Sequence, residues 1–348
     1  MRRAVGWAAI GVVLLVGGCS DRSGSAIDDS STTSSVTASS TTTSMTTSYD
    51  PYAGTMPAVD PVGTVTQSTM VTADGRTRRY RLYVPASLEA VRSVPLLVAL
   101  HGGLGWGEQF ATNSGFDGLA ESNRFIVVYP DGTNAQAGST RLLTWNGGFC
   151  CGAAAERNVD DVGFIGRVID EVSRAAPVDA SRVFATGHSN GAILAYRLAC
   201  ELGDRISAIG VQAGAIDPGC RPTRPVSVFH LHGLADTNIP IDGGKGTGVS
   251  GVVFPSPRAA PQVFVNADRC GSAPVDQSDP SNPDVLARTW SGCAESRMVR
   301  FVTVAGASHA WMGHAGTAAA STSLAGTPYE RLDASRAIWS FLGAQPPR

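Results

Sequence analysis

The sequence predicts an α/β fold, a mainly parallel central sheet with helices on both faces. Three observations carry that expectation. Apolar runs of strand length recur along the chain and alternate with amphipathic stretches of helix length, the pattern of successive βα units. Several runs, such as Val94-Pro95-Leu96-Leu97-Val98-Ala99-Leu100, are apolar almost without interruption, as strands covered on both faces are. One run, Arg182-Val183-Phe184-Ala185-Thr186, passes through Gly187-His188-Ser189-Asn190-Gly191 into Ala192 to Ala199, a segment of helical composition.

The chain begins with Met1-Arg2-Arg3 and an apolar run from Val5 to Val16, a charged head and a core of signal-peptide length, short for a membrane span. The run ends Val16-Gly17-Gly18-Cys19, which resembles the lipobox of bacterial lipoproteins, although Gly17 is a less usual residue in its slot. That resemblance implies cleavage before Cys19, lipidation of its thiol, and a protein exported and anchored to the outer face of the cell membrane. An ordinary secreted protein is the alternative. From Ser20 to about Ala58 the chain is almost entirely Ser, Thr, Asp and Ala. Such a segment buries too little to offset its ordering entropy and reads as a disordered tether, suited to O-glycosylation. The expected organisation is therefore a leader over 1–18 with the lipobox at Cys19, a tether over 19–60, and one α/β domain over 61–348. That domain has about 290 residues, a usual size for a single α/β unit with a substantial core.

The formal net charge is −2, and Lys245 is the single lysine among 27 basic residues. Neither a polybasic nucleic-acid surface nor a headgroup-binding patch follows from that balance, so no nucleic-acid partner is expected. Beyond Cys19 there are six cysteines, an even count that reads as disulfides in an exported chain. Cys200 ends the helix after the Gly-rich turn and Cys220 follows the next strand, a local staple. Cys270 and Cys293 bracket a Pro/Asp/Ser-rich loop, a second staple. Cys150 and Cys151 are left either bonded to each other or exchanged with the others. No Cys-x-x-Cys pair is present, and no metal site is expected.

Along this domain, Arg78 to Val84 alternates and reads as an outer strand. Val94 to Leu100 is a buried strand that stops at His101-Gly102-Gly103-Leu104-Gly105. Phe125 to Tyr129 is another, ending in the turn signal Pro130-Asp131-Gly132. Asp160-Asp161 followed by Val162, Ile165, Val168, Ile169 and Val172 is an N-capped amphipathic helix. Further strands are expected over Ile206 to Val211, Val226 to Leu231 and Val299 to Val304, with a closing helix from Ser335 to Leu342. Functional residues in such a sheet belong at the carboxyl ends of its strands.

Strand, Gly-x-Ser-x-Gly turn and helix together form the nucleophile elbow of an α/β-hydrolase, with Ser189 as nucleophile. A serine at neutral pH needs a base, and the base needs an orienting carboxylate; in this fold they follow in the order Ser, acid, His. Of six histidines, His101 adjoins a loop motif, His188 is fixed beside the serine where it cannot act as base, and His230 and His232 precede any acid. His309 comes first after the last strand and is the expected base, with His314 its rival. For the acid, Asp236 follows the penultimate strand, whereas Asp217 and Asp242 read as turn residues. The oxyanion donors are expected to be the backbone N–H of Asn190 and one from the glycine loop, either Leu104 or Gly103.

Several segments in order resemble the secreted esterases of the polyhydroxybutyrate depolymerase and feruloyl esterase family, actinobacterial lipoprotein members included. They are Leu100-His101-Gly102-Gly103, Tyr129-Pro130-Asp131-Gly132, Trp145-Asn146-Gly147-Gly148-Phe149-Cys150-Cys151-Gly152, Val159-Asp160-Asp161-Val162-Gly163-Phe164-Ile165, Gly187 to Gly191, and His232-Gly233-Leu234-Ala235-Asp236. The resemblance covers about Val65 to Leu342. It implies a triad of Ser189, Asp236 and His309 hydrolysing carboxylic esters without a cofactor. Where the family usually shows Gly-Gly-His-Thr-Trp-Pro-Gly, this chain has Gly306-Ala307-Ser308-His309-Ala310-Trp311-Met312-Gly313, a departure that bears on substrate preference. His101, Trp145, His188 and Trp311 are candidate substrate contacts, with core burial the equal alternative for Trp145. The double-cysteine segment and the stretch from Gly243 to Pro261, with Phe254, are expected to form the two sides of the cleft. Asp160 is expected to cap its helix and Asp161 to hold a loop by hydrogen bonding. The expected substrate is a small or polymeric ester: short-chain, feruloyl-type or hydroxyalkanoate. Acyl transfer to envelope lipids, peptidase activity and non-catalytic surface binding are the competing readings.

Overall fold

A computed structural model describes residues 48–88, 93–271, 273–314 and 324–348. The expected leader, Cys19 and the tether up to residue 47 lie outside the described residues. Residues 48–60, expected to continue the tether, pack on the domain instead. Tyr49 is buried, its N–H donates to the carbonyl of Ser278, and the Arg300 guanidinium lies 5.2 Å from its ring centre. The Tyr52 hydroxyl accepts from the Asp333 N–H at 2.7 Å under the Arg336 guanidinium. Val59 N–H donates to the carbonyl of Gly118. The two tyrosines supply the apolar area that the Ser/Thr composition lacks, so the domain begins before Pro61.

The described strands in chain order are β1 (Thr64–Val71), β2 (Thr77–Val84), β3 (Val94–Leu100), β4 (Ile126–Pro130), β5 (Val178–His188), β6 (Ala208–Gln212), β7 (Ser227–Gly233), β8 (Gly244–Lys245), β9 (Val253–Phe254), β10 (Val275–Asp279), β11 (Asn282–Trp290) and β12 (Val299–Val304). Ten of them form one sheet in the order β1-β2-β4-β3-β5-β6-β7-β12-β11-β10. From β4 to β12 in that order all pairings are parallel, and antiparallel strands flank this centre on both sides. The segment between Cys270 and Cys293, expected to be a loop, contains the hairpin β10–β11. Val285, Ala287 and Thr289 alternate inward there, a period-2 pattern masked by Pro283 and the acidic turn.

The helices are α1 (Gly107–Ser114), α2 (Phe116–Asn123), α3 (Gly152–Glu156), α4 (Asp161–Ala175), α5 (Asn190–Glu201), α6 (Ala260–Ala267) and α7 (Ala334–Gly343). Alternation along the central strands divides the core in two. Leu96, Val98 and Leu100 of β3 face Val168 of α4, Leu194 of α5 and Phe264 of α6. Leu97 and Ala99 face the layer of Phe110 from α1, Phe116 from α2 and Ile338 from α7. Each fully buried aliphatic side chain stabilises this sandwich by about 1.5–3 kcal/mol. Asp160 caps α4 by accepting from Gly163 N–H at 2.8 Å, as expected. Disulfides join Cys150 to Cys151, Cys200 to Cys220 and Cys270 to Cys293. Among the described residues no helix is long and apolar enough to cross a membrane.

Candidate active site

The loops leaving β3, β5, β7 and β12 meet at the carboxyl rim of the sheet, where open parallel sheets place their ligands. Ser189 stands at the tight turn between β5 and α5 with φ 55° and ψ −119°, a conformation that costs a non-glycine residue about 1–3 kcal/mol. The glycines on either side make that turn fit. A Cβ at Gly187 would lie 2.5 Å from the carbonyl carbon of Gly191, and one at Gly191 would lie 2.3 Å from the carbonyl oxygen of Leu100. Ser189 N–H donates to the carbonyl of Gln212, tying the turn to β6.

Ser189, Asp236 and His309, far apart in sequence, are in direct contact. His309 Nε2 lies 2.8 Å from Ser189 Oγ, and His309 Nδ1 lies 2.7 Å from Asp236 Oδ2. The other carboxylate oxygen, Asp236 Oδ1, accepts from the N–H groups of Asn238 and Ile239, each at 2.9 Å. Burial raises the Asp236 carboxyl, but the charge of His309, its hydrogen bond, and His232 outweigh that and hold it below the usual range. An ionised acceptor puts the imidazole hydrogen on Nδ1 and leaves Nε2 free to accept the serine proton. His314 instead faces Asp333, at 3.2 Å, and Asp242 pairs with Arg258 on the surface. Asp217 closes a turn by accepting from Gly219 N–H.

Two backbone N–H groups, on Asn190 and Gly103, lie close to the serine turn. Asn190 opens α5, where first-turn amides have no partner within the helix. The Gly103 N–H has no hydrogen-bond partner among the described residues, and a Cβ at Gly103 would lie 3.6 Å from Asn190 Cβ. Leu104, the other expected donor, is excluded. Its N–H donates to the carbonyl of Leu143 at 2.8 Å, within the positive-φ turn that closes the loop.

Three of the four expected substrate contacts belong to the scaffold instead. Trp145 is fully buried, and its indole N–H donates to the carbonyl of His101. His101 is buried too: Nδ1 donates to the carbonyl of Gly102 and Nε2 accepts from Gly132 N–H. Burial pushes its pKa down to about 4, which keeps the ring neutral for both bonds. Trp311 packs against Phe110 and Phe116 and donates to Ser335 Oγ. Aromatic residues near a functional loop look alike in sequence whether they line or support it. His188 does remain half-buried beside the site. Burial and the neighbouring His309 push it down to about 3, and its Nε2–H donates to the carbonyl of His309 at 2.7 Å.

Sequence reasoning missed two positioning residues. The Gln212 side chain, at the end of β6, donates to the carbonyl of Ala310 and accepts from Met312 N–H, clasping the loop that carries His309. The Asn190 side chain pairs with both backbone polar groups of Trp145, fastening the double-cysteine loop to the elbow. The only sequence signal was that each is an amide at an element boundary. Asp161, expected to hold a loop, accepts from Asn146 N–H at 2.7 Å and pairs with Arg78 at 2.6 Å. The double-cysteine segment and the stretch after the acid meet in an apolar cluster of Cys150, Ile193, Ala215, Ile239 and Phe254, with the Phe149 ring edge-on to Phe254.

The family model described as Esterase PHB depolymerase matches residues 78–222. The chain is 26% identical over 241 residues to feruloyl esterase B of Piromyces equi, covering 67% of this chain and 42% of that enzyme. It is 29% identical over 274 residues to the putative esterase NocK of Nocardia uniformis subsp. tsuyamanensis, covering 71% of this chain and 74% of that protein. The match to the Piromyces enzyme thus spans less than half of its length. Among solved structures, an acetyl xylan esterase from Aspergillus awamori superposes with a TM-score of 0.52 at 16% identity, covering 71% of this chain and 94% of that one. A CE1 ferulic acid esterase from Anaeromyces mucronatus superposes with a TM-score of 0.52 at 13% identity, covering 85% and 95%. The architecture they share with this chain is the α/β-hydrolase fold.

Proposed function

We propose that this chain is an extracytoplasmic serine esterase, a carboxylic ester hydrolase similar to the polyhydroxybutyrate depolymerases and feruloyl esterases, working through Ser189, His309 and Asp236. The observation that carries the reading is the unbroken path from Ser189 Oγ through the His309 imidazole to Asp236. Ser189 Oγ attacks the ester carbonyl carbon while His309 Nε2 takes the hydroxyl proton. Asp236 holds the ring and stabilises the imidazolium. The carbonyl oxygen, now negative, accepts from the N–H groups of Asn190 and Gly103; losing one such donor commonly costs about 3–4 kcal/mol of barrier. Collapse breaks the ester C–O bond, His309 returns the proton to the leaving alcohol, and an acyl-enzyme remains. Water, activated by His309, then releases the acid and restores the serine.

The names of the relatives support a short acyl, feruloyl-type or hydroxyalkanoate ester as substrate. Three disulfides support an oxidising compartment. The Arg-rich start, apolar run and Cys19 support export and lipid anchoring at the outer face of the cell membrane. A fluorophosphonate probe is expected to label the purified protein and not Ser189→Ala; labelling that survives in the variant overturns the nucleophile assignment. A panel of acetyl, butyryl, feruloyl and hydroxybutyrate esters then ranks the substrates.

A further inference from the structure

Three buried polar side chains outside the ester chemistry form one hydrogen-bonded string behind Asp236. Tyr196 lies on α5 about two turns beyond Ser189. Its hydroxyl is 2.6 Å from His230 Nδ1. His230 and His232 alternate on β7 and therefore project to the same side of the sheet. His230 Nε2 lies 3.0 Å from His232 Nδ1, and His232 Nε2 lies 2.9 Å from the carbonyl oxygen of Ile239. His232 Nε2 is also 3.5 Å from Asp236 Oδ2. All three side chains are fully buried.

The direction of the string follows from its end. A carbonyl only accepts, so His232 Nε2 carries a hydrogen. Burial pushes His232 down to about 4 and His230 well below its ordinary value, so both rings are neutral at neutral pH. A neutral His232 then has a lone pair on Nδ1, which obliges His230 Nε2 to donate. His230 Nδ1 must in turn accept from the Tyr196 hydroxyl. Every hydrogen in the string is used once, and one set of tautomers satisfies all of it. The far end matters because Ile239 is gripped from both sides: its carbonyl by His232, and its N–H by Asp236 Oδ1.

We infer that Tyr196, His230 and His232 are positioning residues for Asp236. By fixing the carbonyl of Ile239, the string fixes the peptide N–H that anchors Asp236 Oδ1 and so aims Oδ2 at His309. It also braces the helix that begins at Ser189 against the loop that carries the acid. This inference rests on the triad reading above. Purely space-filling residues at these positions would be cheaper as apolar side chains, since a half-satisfied polar network is costly in a core.

The test compares Tyr196→Phe, His232→Gln and His232→Leu with wild type in hydrolysis of p-nitrophenyl butyrate, with melting temperatures taken alongside. Tyr196→Phe removes one donor without changing shape. Its kcat is expected to fall about tenfold with KM unchanged, as loss of one orienting hydrogen bond does. The Gln amide can replace the Nε2–H on Ile239, so His232→Gln is expected to keep about ten times more kcat than His232→Leu. Wild-type kcat in Tyr196→Phe overturns the proposal, as does equal activity of the Gln and Leu variants. If His232→Leu does not fold, Tyr196→Phe against wild type decides alone. Ser189→Ala is run beside them. If it remains active the triad reading falls and takes this inference with it; if it is inactive while Tyr196→Phe is unaffected, only the string is refuted.

Discussion

His309 is held through its backbone and its loop as well as through its ring. Its carbonyl accepts from His188, and the loop beyond it is clasped through both amide atoms of Gln212. Gln212→Ala removes both clasps and leaves the backbone bond to Ser189 in place, so its kcat/KM is expected to fall about 10- to 100-fold, the scale of a small misplacement of a catalytic group. Steady-state kinetics with a thermal melt checks this, and unchanged kinetics would free the loop from any dependence on Gln212. The choice of base is equally open to test. His314 pairs with Asp333, away from the serine. His309→Ala is therefore expected to abolish p-nitrophenyl ester hydrolysis and His314→Ala to leave it nearly intact, and the reverse pattern would transfer the role.

The elements differ in how their constraints reach the chain. The disulfides Cys200–Cys220 and Cys270–Cys293 close loops with sequence separations of 20 and 23 residues, whereas Cys150–Cys151 joins neighbours. On the chain-entropy account each long closure contributes about 3 kcal/mol, and a bond between adjacent residues contributes little of that kind. Replacing Cys200 and Cys220 together by Ser is expected to lower the melting temperature by several degrees. The same change at Cys150 and Cys151 should alter catalysis more than melting. Calorimetry and ester kinetics on both double variants separate the two effects. The same distinction between local and long-range causes explains what could be read in advance. The strands β3, β4, β7 and β12 and the second half of β5 are buried on both faces, so their apolar runs announce them, and Ser189 follows from the turn between one such strand and a helix. The strands β1, β10 and β11 lie outside the parallel centre; β1 and β10 are mostly exposed polar residues, without the apolar run that marks the centre. Helices α1 and α2 are eight residues each, meet at Gly115, and show too little periodicity to stand out. Gln212 and Trp145 differ from ordinary core or turn residues only in what they face, and that is settled by packing between distant segments.

At the scale of the whole molecule, the unusual quantity is the number of imidazoles folded away from solvent as neutral rings. His101 and His232 are pushed down to about 4 by burial, His230 lies well below its ordinary value, and the half-buried His188 sits at about 3. Between about pH 6.5 and about 4 the unfolded chain takes up protons that the folded protein refuses. Stability therefore falls as pH falls through that window, by about 1.4 kcal/mol per pH unit for each fully buried ring. Asp268 acts in the opposite sense: burial raises it to about 7, so the folded protein holds a proton there that the unfolded chain releases. Urea midpoints are expected to drop from pH 7.5 to pH 5, and more steeply in Asp268→Asn. A flat profile in both proteins would mean that the rings are protonated in place.

The segment from residue 48 to residue 60 has a mechanical corollary. Its first described backbone attachment is Tyr49 N–H on Ser278, in β10, the strand that ends the sheet on the side opposite β1. Tension applied through the preceding chain is thus delivered first to that terminal hairpin, and then by Tyr52 to the start of α7. The parallel strands that carry the serine and the acid lie inward of the first attachment, while α7 packs on β6 and β7. A protein tugged by its leading end would therefore yield first at that margin.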